Sequence, residues 1–120
     1  MHLTINILIG LVAFIHIYIL WMEMFAWESR GPKVFNGFPK DLFGKTKAMA
    51  ANQGLYNGFL AAGLIWTFLI ENAEWQANIA MFFLACVIVA GIYGAISVDK
   101  KTIFVQVIPA LIPFVLILIS

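Results

Sequence analysis

Leu3-Thr4-Ile5-Asn6-Ile7-Leu8-Ile9-Gly10-Leu11-Val12-Ala13-Phe14-Ile15-His16-Ile17-Tyr18-Ile19-Leu20-Trp21-Met22-Glu23-Met24-Phe25-Ala26-Trp27 carries no lysine, arginine or acidic residue before Glu23. A bilayer core takes about 20 apolar residues as a helix, and this run reads as one such span. The rest of the chain agrees with it. Its 120 residues are 63% hydrophobic and 11% charged, with a mean hydropathy of +0.98. A soluble domain carries roughly 25% charged residues, so there is too little charge to coat a water-exposed surface. The class is integral membrane protein, as a single domain over residues 1–120, and that length leaves no room for a separate soluble catalytic module.

Three more segments approach the required length, giving helices at about 3–27, 48–70, 75–97 and 102–119. The expected fold is all-α: an antiparallel four-helix transmembrane bundle with a partly structured amphipathic cytoplasmic loop between helices 1 and 2. That first connection holds Arg30, Lys33, Lys40, Lys45 and Lys47, with Gly31, Pro32, Gly37 and Pro39 as helix breakers. Phe35, Phe38, Leu42 and Phe43 supply an apolar side, and Pro39 interrupts any continuous helix, so a turn plus a short surface helix is expected. The second connection holds Glu71 and Glu74 and no cation; the third holds Asp99, Lys100 and Lys101. The positive-inside rule then makes the 28–47 loop cytoplasmic and both termini external, in a bacterial plasma membrane. Trp27, Trp66 and Trp75 fall near the interfaces, whereas Trp21 lies deeper. The N-terminus lacks the basic region and cleavage site of a signal peptide, so the first helix is expected to stay in the mature protein, and no lipidation motif is present.

Net charge is +1, which offers no basic stripe for nucleic acid. The lone Cys86 sits in an apolar run with nothing to lower its pKa. No metal site and no cofactor are expected: the motifs HExxH and GxSxG are absent, and a haem held by two histidines would need a second internal one besides His16.

Polar groups in hydrocarbon are costly, and they are buried against partners or line a site. His16 and Glu23 are seven residues apart and share a face; Tyr18 is on a different one. Asn52 with Tyr56, and Gln53 with Asn57, form two adjacent i, i+4 rows. Gly54, Gly58 and Ala62 make a small-residue edge for close helix approach, and Gly91 and Gly94 do the same on the third span beside Tyr93. The fourth span has Gln106, then Pro109, which frees the Val105 carbonyl and is expected to bend the helix. With the orientation above, Glu23, Asn52, Gln53, Tyr56, Asn57, Tyr93 and Gln106 all fall in the cytoplasmic half, with His16 just beyond. A shared polar layer between the helices is expected there.

Several stretches together are distinctive: Glu23-Met24-Phe25-Ala26-Trp27, Asn52 through Leu64, Ala90-Gly91-Ile92-Tyr93-Gly94-Ala95, and Gln106-Val107-Ile108-Pro109-Ala110. In these the chain resembles the small bacterial four-helix membrane proteins of the DUF1304 family, over nearly its whole length. The resemblance implies that the polar stretches belong to one pattern and supplies no activity, cofactor or catalytic residue. The layout is also similar to DoxX-like and sterol-isomerase-like membrane bundles, an analogy of fold that does not fix function.

Three functions compete. In the leading one, the layer binds or transports a small polar or amphipathic molecule. Glu23 is its charge partner, Asn52, Gln53, Asn57 and Gln106 give hydrogen bonds, and Tyr56, Tyr93 and Trp21 wall the pocket. A homo-oligomer, formed through the Gly54/Gly58 face, would enlarge it. In the second, the chain is an intramembrane isomerase or oxidoreductase acting on a lipid or quinone, with Glu23 or His16 transferring a proton. In the third, it is a structural or accessory subunit whose amides lock the helices together.

Overall fold

The computed structural model describes residues 2–120; Met1, the first residue of the expected 1–120 domain, lies outside the described residues. The described residues are helical and contain no strand. Helix α1 spans Leu3–Phe25, and the His2 side chain caps it by accepting from the Thr4 N–H at 3.2 Å. Two single turns follow, α2 (Gly31–Val34), with Pro32 in its first turn, and α3 (Leu42–Lys45). Helix α4 spans Lys47–Thr67 and α5 spans Ala73–Ser97. Asn72 caps α5 by accepting from the Trp75 N–H at 3.0 Å. A π-turn, Ile103–Val107, leads into α6, Ile108–Ile119.

Two of these helices, α1 and α5, are long and apolar enough to cross a membrane. Helix α4 has the length, but its three amides and Lys47 dilute its apolar character. The apolar segment Ile103–Ile119 is a little shorter than the usual span. Where a turn plus one short helix is expected, the first connection forms two single helical turns, α2 and α3, separated by the stretch that holds Gly37 and Pro39.

The long segments pack in a ring, α1 against α4 and α6, and α5 against α4 and α6. Successive helices run in opposite directions. Along α1 and α4, Trp27 meets Thr46, Glu23 meets Asn57, and Gly10 lies beside Phe68. Along α5 and the last segment, Gly94 meets Thr102 and Gly91 meets Val107. The apolar core occupies one half of the ring: Ile5, Ile9, Val12 and Ala13 of α1, Leu64, then Ala80, Leu84, Val87, Ala110 and Ile117. Of the buried polar residues, His16, Glu23 and Asn57 lie toward the basic loops, and Thr67 lies at the other end, near the acidic turn. Large apolar side chains, among them Leu3, Phe14, Phe82, Val89 and Leu118, cover the outside.

Small residues set the helix contacts. A Cβ on Gly54 would come within 2.7 Å of Met24 and 3.2 Å of the Leu20 carbonyl. Gly58 faces the Leu20 side chain. The Gly54/Gly58 edge is thus filled by α1 of the same chain and is not free for a second copy, which corrects the expected oligomer face. Ala62, expected to extend that edge, is exposed, and it is the next residue, Gly63, that packs under the Phe83 ring. The edge therefore switches partner from α1 to α5 partway along α4.

The bend expected at Pro109 takes the form of the π-turn. The Ile108 N–H reaches back five residues to the Ile103 carbonyl. Pro109 has no N–H to hold the ladder in register, and the wider turn absorbs the slack. Thr102, just before it, donates to the carbonyls of Gly91 (2.9 Å) and Asp99 (3.0 Å), tying this turn to α5.

Candidate functional site

Glu23 lies on the inward face of α1, two turns beyond His16, where Gly54 lets α4 come close. Its side chain is 8% exposed. Asn57 Nδ2 donates to Glu23 Oε1 at 2.6 Å, a short bond of the kind made to a carboxylate. Among the described residues Glu23 pairs with no cation; the ion pair present, Lys47–Glu28 at 3.3 Å, is on exposed side chains.

His16 is fully buried. Its Nδ1 lies 2.8 Å from the Val12 carbonyl and its Nε2 lies 3.2 Å from Gln106 Nε2. A carbonyl oxygen only accepts, so Nδ1 carries the proton and Nε2 accepts from the Gln106 amide. This arrangement commits both ring nitrogens to partners within the chain.

A cleft of about 570 Å³ opens between α1, α4, α5 and the π-turn. Tyr18, Glu23, Gln53, Asn57, Thr102 and Gln106 give it polar groups; Ile15, Ile19, Met22, Met49 and Val105 give it apolar walls. Val34, Phe35 and Phe38 of the first connection and Val98, Asp99 and Lys101 of the third line its loop end. A shallower hollow of about 430 Å³, lined by Phe35–Phe38 and Val98–Lys101, adjoins it there. The rim is tied across the two connections: Lys101 Nζ donates to Asn36 Oδ1 at 2.9 Å and to the Val34 carbonyl at 3.3 Å. Arg30 Nε donates to the Tyr18 hydroxyl at 2.8 Å. Trp27, expected as an interface anchor, donates from Nε1 to Thr46 Oγ1 at 3.0 Å. Its ring packs on Phe35, Phe38 and Phe43, with centroids 4.9–6.2 Å apart. This aromatic cluster folds the first connection back onto the helix ends.

Residues 10–118 match the family described as Protein of unknown function (DUF1304). The chain belongs to the DUF1304 family. The DUF1304 chain is 36% identical over 98 residues to the Uncharacterized protein YpaA of Lactococcus lactis subsp. lactis (strain IL1403), covering 80% of the chain and 81% of that relative. No solved structure matches. Every polar residue of the cleft lies inside the matched range.

In the DUF1304 chain the expected site residues divide. Glu23, Gln53, Asn57 and Gln106 line the cleft together. His16 sits behind it, joined through Gln106. The other expected wall residues do not line it. Tyr56 and Tyr93 are 64% and 71% exposed on the outer surface, and Trp21 is 46% exposed, its ring in tilted contact with Tyr18. Asn52 faces outward and donates to the Ala48 carbonyl at 3.2 Å, its own helix's backbone. Gly94 lines the cleft, while Gly91 is buried under Gln106 and Val107.

Other residues come to the cleft unannounced by the sequence pattern. Tyr18, placed by spacing on a different face from Glu23, reaches the same cleft because the cleft wraps around α1. Trp27, Phe35, Phe38, Thr46 and Lys101 join from the connections. The apolar side expected of the first loop was the signal for Phe35 and Phe38; nothing in the pattern pointed Trp27, Thr46 or Lys101 toward the cleft.

Proposed function

We propose that the chain crosses a bacterial plasma membrane four times and uses the cleft to bind, or carry across, a small amphipathic molecule. Supporting the topology is the location of all seven lysine and arginine residues in the first and third connections, which the Lys101 bonds hold against each other at one end. That end is cytoplasmic by the positive-inside rule, with both termini outside. The observation that carries the binding reading is the cleft itself: a carboxylate and three amides at one level of a cavity whose remaining walls are apolar and aromatic. Ligand sites commonly have this composition and a volume of roughly 300–1,000 Å³. Glu23 is the charge partner in this reading, and Gln53, Asn57 and Gln106 orient the ligand.

Mass spectrometry of small molecules that co-purify with the detergent-solubilised protein tests it. Ala90 is exposed and lines the cleft, so Ala90→Trp fills the cavity without a core clash. An amphipathic molecule retained by the wild type and depleted in Ala90→Trp, at unchanged Tm, is the expected result. Equal retention by both proteins, or none by either, overturns the binding reading.

A structural role is the second reading. It is favoured by two bonds that link different helical segments, Glu23–Asn57 and His16–Gln106. Such bonds contribute roughly 0.6–1.7 kcal/mol in membranes. If both pairs couple in double-mutant cycles and no molecule is retained, this reading replaces the first.

A further inference from the structure

We propose that the cleft selects an organic cation with an apolar body, the positive charge set beside Glu23 and the body against the aromatic rim; this rests on the amphipathic-ligand reading above. Glu23 is buried, yet only one of its oxygens is used inside the chain: Oε1 accepts from Asn57, and among the described residues Oε2 has no partner. A buried carboxylate without a countercharge is costly, and the chain's own cations do not answer it. Arg30 is bonded to Tyr18, Lys47 to Glu28, and Lys101 to Val34 and Asn36. A cationic ligand would supply the missing charge.

The walls narrow the class further. Asp99 and Lys101 line the cleft at its loop end as one charge of each sign, so the charge without an opposite partner at the level of the amides is that of Glu23. Calcium or magnesium takes six or more oxygen ligands, and a zinc site takes about four, mostly from His, Cys or carboxylates, whereas this level of the cleft presents one carboxylate and amides among Ile19, Met22 and Val105. Tyr18, Trp27, Phe35 and Phe38 line the same cleft, and aromatic faces attract alkylated or arylated cations, more strongly where water is excluded. A carboxylate, aromatic rings and an apolar cavity of about 570 Å³ together favour a bulky, weakly hydrated organic cation.

Binding of three probes of similar shape, measured by calorimetry on the full detergent-solubilised chain, tests this. They are tetraphenylphosphonium, neutral triphenylphosphine oxide and anionic tetraphenylborate. The phosphonium should bind more tightly than the other two. Glu23→Gln should weaken it by at least about tenfold while leaving the phosphine oxide unchanged, and Glu28→Gln, in the exposed ion pair, should change neither. Should Glu23→Gln fold poorly, the wild type suffices: dicyclohexylcarbodiimide should modify Glu23, and the phosphonium, not the phosphine oxide, should protect it. Equal binding of cation and neutral probe, or equal protection by them, overturns the cation proposal and leaves the amphipathic-ligand reading standing. Binding of none of the three to the wild type overturns both.

Discussion

The three amides of α4 face three different surroundings. Asn52 points outward and satisfies itself on the Ala48 carbonyl; Gln53 is exposed at the cleft; Asn57 is buried on Glu23. Their mutational costs should differ accordingly. Asn57→Leu leaves a buried carboxylate without its donor and should lower stability by roughly 1–3 kcal/mol. Asn52→Leu exchanges an outward amide for an apolar group and should stay within about 0.5 kcal/mol. Unfolding of the two variants in the same detergent measures both, and equal losses would show that the α4 face is misassigned. Spacing alone gave two rows, Asn52 with Tyr56 and Gln53 with Asn57, that differ by one residue's rotation. Which row faces inward was not legible from it, because each row carries two polar side chains able to line a site. The decision comes from Gly54, whose close approach to Leu20 and Met24 turns Asn57 inward and leaves Tyr56 outside.

Small residues of α4 and α5 determine how closely the elements approach. Gly54→Leu would drive a side chain into Met24 and the Leu20 carbonyl, and overpacking of this kind costs about 1–3 kcal/mol. Ala62→Leu, although it continues the same i, i+4 spacing, projects from an exposed position and should cost less than about 0.5 kcal/mol. Thermal unfolding in detergent separates the two, and a large loss for Ala62→Leu would place an unseen partner on that face. The rim is a second contact between elements. Lys101→Ala removes the two bonds from the third connection to Val34 and Asn36. Faster proteolysis within residues 35–41, with little change in Tm, is expected, since exposed polar contacts contribute little to global stability. Proteolysis at the wild-type rate would mean that the aromatic cluster around Trp27 holds the loop alone.

Charge distribution governs the molecule as a whole. With Cys86→Ala as background, Lys40→Cys and Lys100→Cys should react with an impermeant thiol reagent from one side of the membrane, and Glu74→Cys from the other. Reaction of Lys40→Cys and Glu74→Cys from the same side would sink the four-span topology. Within the ring, burial also divides by half. The apolar core, with Ile9, Leu64, Leu84 and Ala110, lies toward the acidic turn, and the basic half holds the cleft. The lower apolarity of α4 follows from this division: the helix that supplies two of the three cleft amides is the one least suited to lipid on every face, so it depends on α1 and α5 to cover Asn57 and Gly63.

Composition, the runs of apolar residues and the placement of lysine and arginine are local properties, and from them the sequence by itself determined an all-α chain, its helix positions to within a few residues, and the level at which polar groups gather. Glu23, Asn57, Gln53 and Gln106 were legible as a group because depth along a helix is set by residue number at about 1.5 Å per residue. Rotation about each helix axis is not local. It depends on which small residues meet which neighbour and on one extra residue in a π-turn, so the tertiary structure alone decided that Tyr56, Tyr93, Trp21 and Asn52 face away while Tyr18 and the loop aromatics face the cleft. It also decided that the Gly54/Gly58 edge belongs to α1, because packing density leaves room on that edge for one helix only.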